Sequence, residues 1–271
     1  MPLLDLHAHT RYSDGTTTPA EVVHAYLMRG VQMMSVTDHD TTEALGQASQ
    51  KALAAGILFV PGVEISSREN DHLHILGYNI DEKNQTFQNF LAGNREQRNI
   101  RIKKIIRQLQ ESGVSIEEED VFKLVRNVAS RAHVADALKN KGIVPTRQEG
   151  FRKFLVPGKA GYVNNAGESV FDVIKAIKNA GGLAFIAHPG IVKECWDFPA
   201  WVNAGLDGIE VYYPSHSFDM KQDLFMIAKK YNLLISGGSD HHGSKSGRDN
   251  KPGMEVPQEV FDRLKEVFGK K

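Results

Sequence analysis

Short apolar runs alternating with helix-forming segments set the first limit on what this chain can fold into. The runs fall at residues 3–6, 31–37, 57–65, 73–80, 183–187, 208–212 and 233–236. Between them lie helix starts. Thr18-Pro-Ala-Glu21 offers a capping threonine, a proline suited to the first helical position and a glutamate that completes a capping box. Asp40-Thr-Thr-Glu43 repeats a capping signal before a second helix. A helix over residues 168–180 is expected to end at Gly181-Gly182, another lies near 218–230, and a last one starts from Pro257. Seven or so strands alternating with helices predict an α/β fold, closed into a barrel rather than left as an open sheet.

Over residues 84–165 the pattern changes. Helical periodicity runs through 87–111, 117–126 and 131–139 without a clear strand, so a small helical domain (84–165) is expected to be inserted into a barrel built from 1–83 and 166–271. That insert holds 15 Lys or Arg against 8 Asp or Glu, about +7, which leaves about −7 on the remainder. The formal net charge of zero is therefore the sum of two unlike parts. Read globally, it gives no support for a histone-like nucleic-acid binder or a polybasic membrane protein. One cysteine in 271 residues excludes an intrachain disulfide and Cys-rich zinc modules. No apolar run approaches the roughly 18 residues that a membrane helix needs. Met-Pro-Leu-Leu-Asp-Leu-His at the start lacks the basic segment of a signal peptide, and a soluble, cytoplasmic protein is expected.

Chemistry-bearing residues gather at the ends of the predicted strands. Asp5-Leu-His7-Ala-His9 ends the first; residues two apart in an extended chain face the same way, so His7 and His9 can grip one ion together. Thr37-Asp38-His39-Asp40 closes the second strand and Gly62-Val-Glu64 the third, His72 and His74 lie on the fourth, and Ala187-His188-Pro189 follows the insert. Gly237-Gly-Ser-Asp240-His-His242-Gly ends the last. In an α/β barrel such ends converge on one rim, where active sites lie. Unrelated core histidines would not be expected to choose that topological position repeatedly.

The stretches DLHAHT-x-x-SDGT, TDHD, GVEIS, HILGY, AHP and GSDHHG resemble, in order, the motifs of the PHP (polymerase and histidinol phosphatase) family. The likeness runs over nearly the whole chain outside the insert. It implies a distorted, seven-stranded, TIM-like β/α barrel with two or three divalent metal ions at the C-terminal rim. It implies further that His7, His9, Glu64 and Asp240 surround one ion, that Glu64 bridges to a second held by His74 and His188, and that Asp14, His39 and His242 hold a third. Asp14 stands where some relatives have a histidine. The chemistry is consistent with this division: a carboxylate can bridge two ions, and a His and carboxylate set without thiolate suits Mn, Fe or Zn. Two such ions would generate hydroxide near neutral pH and stabilise charge on phosphorus, which is phosphoester hydrolysis. Asp240 is assigned a catalytic role beside its ligand role.

Other residues have plainer readings. Asp38 and Asp40 could orient His39, and Asp40 equally reads as the cap of the following helix. His72 reads as a surface partner in the strand of His74, His24 as structural, and Cys195 as packing; His241 alternates away from the ligands.

For the substrate, Ser130-Arg131-Ala-His133 opens a helix inside the basic insert, where a serine cap, free N–H groups, Arg131 and His133 would make an anion site. Lys159, in the glycine-bearing loop 157–162, could meet a second phosphate. His216 could protonate a leaving oxygen or bind phosphate, and Tyr212 or Tyr213 could stack on a base, with core packing the better reading for both tyrosines. RAH, GKAGYV, AHP and GIEVYYPSHS resemble the stand-alone branch of the family that carries a helical insert. The resemblance implies removal of the 3′-phosphate of nucleoside 3′,5′-bisphosphates, with 5′-to-3′ trimming of short oligonucleotides, histidinol-phosphate hydrolysis and non-enzymatic metal-dependent binding as the competing readings. The expected partner is a small phosphorylated nucleotide or short oligonucleotide, not a membrane or a stable duplex.

Overall fold

The computed structural model describes residues 1–248 and 250–269. Eight strands form one sheet in the order β7-β6-β5-β4-β3-β2-β1-β8. They are β1 (Leu3–Asp5), β2 (Met33–Val36), β3 (Leu58–Ser66), β4 (His74–Tyr78), β5 (Leu183–Ile186), β6 (Gly208–Tyr212), β7 (Leu234–Gly237) and β8 (Met254–Glu255). Seven match the predicted runs. The eighth pairs antiparallel with the start of β1 and is two residues long, too short for any alternation to reveal it. The sheet nearly closes on itself, because Leu6 N–H donates to the Gly237 carbonyl (3.0 Å) and His9 N–H to the His241 carbonyl (2.8 Å).

One strand runs against the rest. β4 pairs antiparallel with both β3 and β5, whereas β1 with β2, β2 with β3, β5 with β6 and β6 with β7 are parallel. The cause is local. Only residues 67–73 link β3 to β4, too few for a parallel crossover, which takes a dozen or more, so the chain turns back as a hairpin with Ser66 opposite His74. The first residue of β4 therefore lies at the same rim as the last residues of its neighbours.

Helices α1 (Pro19–Arg29), α2 (Leu45–Ala54), α7 (Val170–Asn179), α9 (Phe218–Tyr231) and α10 (Gln258–Phe268) flank the sheet, with a short α8 (Phe198–Asn203) that the periodicity did not predict. Thr18 and Glu21 form the expected capping box on α1. The second predicted box does not form. Helix α2 starts after Ala44 with no side-chain cap, because the Asp40 carboxylate turns to Asn94 and Arg98 and the Glu43 carboxylate to Asn127.

Since β4 descends from the rim, α3 (Gln85–Glu111) climbs back to it, about 40 Å at 1.5 Å per residue. Asn84 at its foot reaches the Asn179 carbonyl, Phe87 and Leu91 pack in the barrel core, and Asn94 and Arg98 meet the rim at Asp40. Beyond them Ile102, Ile105, Ile106 and Leu109 enter a second apolar cluster with Val134 and Leu138 of α5 (Arg131–Asn140). The helix expected over 117–126 is a single short segment, α4 (Glu118–Phe122), and α6 (Arg147–Gly150) runs into a π-helical turn at Phe151–Leu155. Among the described residues no helix is long and apolar enough to cross a membrane.

Candidate metal centre

The rim gathers the expected ligands. His7 and His9 leave β1 on one side, and Asp38 fixes the turn that follows by accepting from Thr10 N–H (2.7 Å), Thr10 Oγ (2.6 Å) and Ser13 Oγ, which brings Asp14 over the barrel. The backbone is forced to turn sharply at several of these ends. Asp40, His188 and Asp240 all lie in the left-handed region, with φ of 49°, 31° and 52°, a conformation costly for residues with a Cβ and typical of functional sites.

Glu64 sits at the centre. Its Oε1 lies 2.7 Å from His74 Nδ1, 3.2 Å from His188 Nε2 and 3.3 Å from His7 Nε2. Its Oε2 lies 3.1 Å from His9 Nε2 and 3.2 Å from His39 Nδ1. Asp240 Oδ1 is 3.3 Å from His9 Nε2 and from His242 Nδ1, and 3.6 Å from His7 Nε2. Asp14 is 3.3 Å from His242 Nε2, 3.5 Å from His9 Nδ1 and 4.0 Å from His39 Nε2. Among the described residues four overlapping triads have donor atoms close enough to share an ion: His7–His9–Asp240, His7–Glu64–His188, His9–Asp14–His242 and His9–His39–Glu64, so His39 falls with His9 and Glu64 rather than with Asp14 and His242, and His74 in none of them.

The donor set fits divalent metal. His7 Nε2, His9 Nε2, His39 Nδ1, His188 Nδ1 and His242 Nε2 are buried without a hydrogen-bond partner. Each such atom costs about 1–3 kcal/mol if nothing satisfies it. Six imidazoles with adjacent ring centroids 4.2–5.6 Å apart could not all be charged, yet neutral they present lone pairs to one small volume.

Electrostatics agree. Burial pushes the carboxylates up, but the imidazoles around Glu64 and Asp14, and Arg248 with them at Asp240, outweigh it and hold all three well below the usual range. Burial also pushes His7 and His9 down. Against it, Glu210, Glu64 and Asp240 lift His7 well above its ordinary value, and Asp240 with Glu64 lifts His9 to about 10. Burial wins at His39, His74 and His242, which are lowered, the last with help from Arg248. The carboxylates that lift His7 and His9 thus favour positive charge at the place where a metal ion would supply it.

A cavity of about 720 Å³ opens beside this cluster. Asp14, His39, His74 and His242 line the side next to the cluster, and Arg98, Arg101, Arg131, Arg147, Arg152 and Arg248 are among the residues that line the rest, with Glu69 and Asp71. Arg101 Nη2 and Arg131 Nη1 donate to the two oxygens of Asp71, at 2.6 and 2.9 Å, so one carboxylate holds two guanidinium groups in place.

A model of the PHP domain matches residues 5–141, half of the chain. This chain belongs to the PHP family. It is 37% identical over 92% of its length, and 90% of the relative's, to a 3′,5′-nucleoside bisphosphate phosphatase of Chromobacterium violaceum. It is 33% identical over 88% of its length, and 89% of the relative's, to a 5′-3′ exoribonuclease of Haemophilus influenzae. A solved structure from Bifidobacterium adolescentis, assigned as a metal-dependent phosphoesterase, superposes with a TM-score of 0.88 at 29% identity, covering 97% of this chain and 95% of that one.

Within this PHP centre the expected substrate residues fare unevenly. Arg131 opens α5 after the Ser130 cap and lines the cavity. His133 turns back: its Nδ1 accepts from Ser130 N–H (3.1 Å) and closes the helix cap, away from the cavity wall. Lys159 is exposed, and Val156, Pro157 and Tyr162 line the cavity at this point. The role expected of His216 needs correction. Its Nδ1 donates to the Val211 carbonyl (2.9 Å) and its Nε2 accepts from Gly190 N–H (3.1 Å), so neither nitrogen is left for a leaving group. Nor do Asp38 and Asp40 bond to His39; one organises the 10–13 turn and the other reaches α3. His72 is exposed but lines the cavity. Tyr213 donates to Asp240 Oδ2 (3.0 Å), and Tyr212 packs edge-on against Phe225. Burial pushes the Cys195 thiol up, the opposite of a poised nucleophile.

Sequence reasoning missed Glu210, Gly238 and Arg248. Glu210, fully buried in β6, accepts His188 N–H (2.7 Å) and lies 3.1 Å from His7 Nδ1. A carboxylate inside Gly-Ile-Glu-Val-Tyr was its signal. A Cβ on Gly238 would come within 2.2 Å of His7 Cβ and 2.8 Å of Glu210 Oε1, so only glycine lets β7 pass beneath that pair. Arg248, which donates to Asp240 Oδ2 (2.6 Å), follows the GSDHHG motif in a stretch with no periodicity to mark it.

Proposed function

We propose that this protein is a metal-dependent phosphoesterase that removes one phosphate from a small nucleotide, the 3′-phosphate of nucleoside 3′,5′-bisphosphates in the first instance. The observation that carries the reading is one arrangement: buried, unpaired imidazole nitrogens around Glu64 open directly onto an arginine-lined cavity. Two or three divalent ions, of Mn, Fe or Zn, supply Lewis acidity and a water of lowered pKa when bound. His7, His9, Glu64 and Asp240 would hold one, Glu64, His74 and His188 would hold a second, and Asp14, His39 and His242 would hold a third.

The protein's own groups do the remainder. Arg131 and Arg101, set at fixed spacing by Asp71, take the phosphate that is retained. Arg248 lies between Asp240 and the cavity and offsets charge that develops on the reacting phosphate. Tyr213 and Arg248 hold Asp240 through Oδ2, which leaves Oδ1 turned toward His7, His9 and His242 as the atom that would hold an ion, and its share in catalysis would be through that ion. The helical segment of residues 84–165 acts as a cap that excludes bulk water and sets substrate length. The absence of a cysteine pair is consistent with a cytoplasmic setting.

A second reading, 5′-to-3′ trimming of short oligonucleotides, is supported by the likeness to a 5′-3′ exoribonuclease. The test is metal analysis followed by a panel of nucleoside 3′,5′-bisphosphates, monophosphates, 5′-phosphorylated RNA and histidinol phosphate. Phosphate release from the bisphosphate with the 5′-phosphate retained is expected. Faster release of mononucleotides from RNA would favour the second reading, and a metal-loaded protein inactive on the whole panel would overturn both.

A further inference from the structure

The ligand-bearing loops divide by what braces them. His7 and His188 are held from within the barrel by Glu210, and Asp240 by Tyr213 and Arg248. Asp14 and His39 are gripped from outside it, by the helical segment. Arg147 Nη1 donates to the Asp14 carbonyl (3.4 Å), and Val128 N–H to the Tyr12 carbonyl (3.3 Å). On the other loop, Asp40 directly follows His39. Its carboxylate accepts from Asn94 Nδ2 (3.0 Å) and Arg98 Nε (2.5 Å), and its carbonyl from Arg95 Nη1 (2.9 Å). Arg98 also donates to Ser66 Oγ (2.7 Å), two residues beyond Glu64.

We propose that Asp40 is a positioning residue for His39, and that the Asp40–Asn94–Arg98 contacts make metal retention at His39 depend on how α3 is seated. This deepens the reading above and rests on it. Asp40 is held at φ 49°, where an aspartate stays only if its surroundings over-determine it. Three donors from one helix do so here. Without them the peptide is free to relax toward negative φ, and His39 Nδ1 leaves its position 3.2 Å from Glu64. Glu64 and His74 are tied to α3 less directly, through Arg98 to Ser66 and through Arg101 to Asp71, whose carbonyl lies 3.1 Å from His74 Nε2, so the effect is expected to be largest at His39. Arg98 and Arg147 also line the cavity, so a substrate that presses on them seats the same loops. By reciprocity, substrate must then tighten the ion at His39, and that ion must tighten substrate.

The test is Mn²⁺ titration of metal-free wild type, Asp40→Ala, Asp40→Asn and Asn94→Ala, with thermal melts to establish folding. Asn94 is buried and outside the cavity lining, which makes its variant the control for any direct substrate effect and the stand-in if Asp40→Ala does not fold. Asp40→Ala and Asn94→Ala are expected to weaken the weakest Mn²⁺ by about 10–100-fold and the tighter binding much less. Asp40→Asn, which keeps an acceptor and tolerates positive φ, is expected to recover most of it. A non-hydrolysable nucleotide should raise the affinity of that weakest ion in wild type and much less in Asn94→Ala. Equal weakening of every ion, or no weakening in any variant, overturns the proposal while leaving the phosphoesterase reading intact. A wild-type protein that takes up no Mn²⁺ overturns both.

Discussion

Glu210 braces His7 from behind the metal centre. With Oε1 3.1 Å from Nδ1, the glutamate leaves His7 Nε2 facing Glu64 and Asp240, and its second oxygen fixes the His188 backbone. One buried carboxylate thus sets the angle of two of the proposed ligands without being one. Glu210→Gln, which keeps the shape and removes the charge, is expected to weaken metal binding by about 10–100-fold. Titration calorimetry reads this directly. Glu210→Ala should in addition leave two buried donors unpaired, at about 1–3 kcal/mol each, and lower the melting temperature.

Metal-free protein should show a stability maximum near the ordinary histidine pKa. His7 and His9 are raised in the folded state, His9 to about 10. Their contribution is complete below about 6.5 and is lost as pH rises through about 10. His39, His74 and His242 are lowered, so the folded state resists their protonation and stability also falls as pH drops below about 6.5. Thermal melts of chelator-treated protein at pH 5, 6.5 and 9 check the sign. Metal loading should remove the decline on the alkaline side, because metal replaces the protons on His7 and His9. A metal-free protein more stable at pH 9 than at 6.5 would contradict the assignment.

Arg131→Ala should separate substrate recognition from chemistry. A charge-assisted hydrogen bond contributes about 1.5–3 kcal/mol, so kcat/KM on a nucleoside bisphosphate is expected to fall about tenfold to a hundredfold. Hydrolysis of a generic aryl phosphate, which has no second phosphate to hold, should change little. Equal losses on both would remove Arg131 from the binding role.

His216 gives a cleaner contrast. Because both ring nitrogens bond to backbone, His216→Ala should lower the melting temperature through loss of packing and two hydrogen bonds. In the folded fraction kcat and its pH profile should match wild type. Loss of one limb of the pH–rate profile in this variant would return His216 to the chemistry.

Much of this was legible before any coordinates. The gathering of histidines and carboxylates at strand ends is readable because strands and their ends leave a period in the chain, and Asp5-Leu-His7-Ala-His9 marks its own facing by alternation. The direction of β4 was legible in principle too, in the brevity of residues 67–73. His216 misled because its sequence position resembles that of a site residue, while its fate depends on the Gly190 N–H, 26 positions away along the chain. Asp40 misled for a related reason: a capping pattern is local, but Asn94 and Arg98 compete for the same carboxylate from 54 and 58 positions away. Arg101 and Arg248 carry no local mark at all. On a helix face or in an irregular stretch a functional arginine looks like any solvated one.

The reversed strand has a consequence for how such a chain can vary. With β4 descending, α3 is at once the return crossover and a rigid post, rooted in the barrel core at Phe87 and Leu91 and carrying Arg98 and Arg101 at set heights. Adding or deleting one residue between Leu91 and Asn94 would turn everything above by about 100°. Arg98 would then lose Asp40 and Arg101 would lose Asp71 in the same step. Length changes in the post are thus forbidden by the metal site at its shoulder. Divergence in what the site accepts has to enter through the turns farther up, at residues 112–117 and 141–146, where insertions leave Arg98 and Arg101 in register.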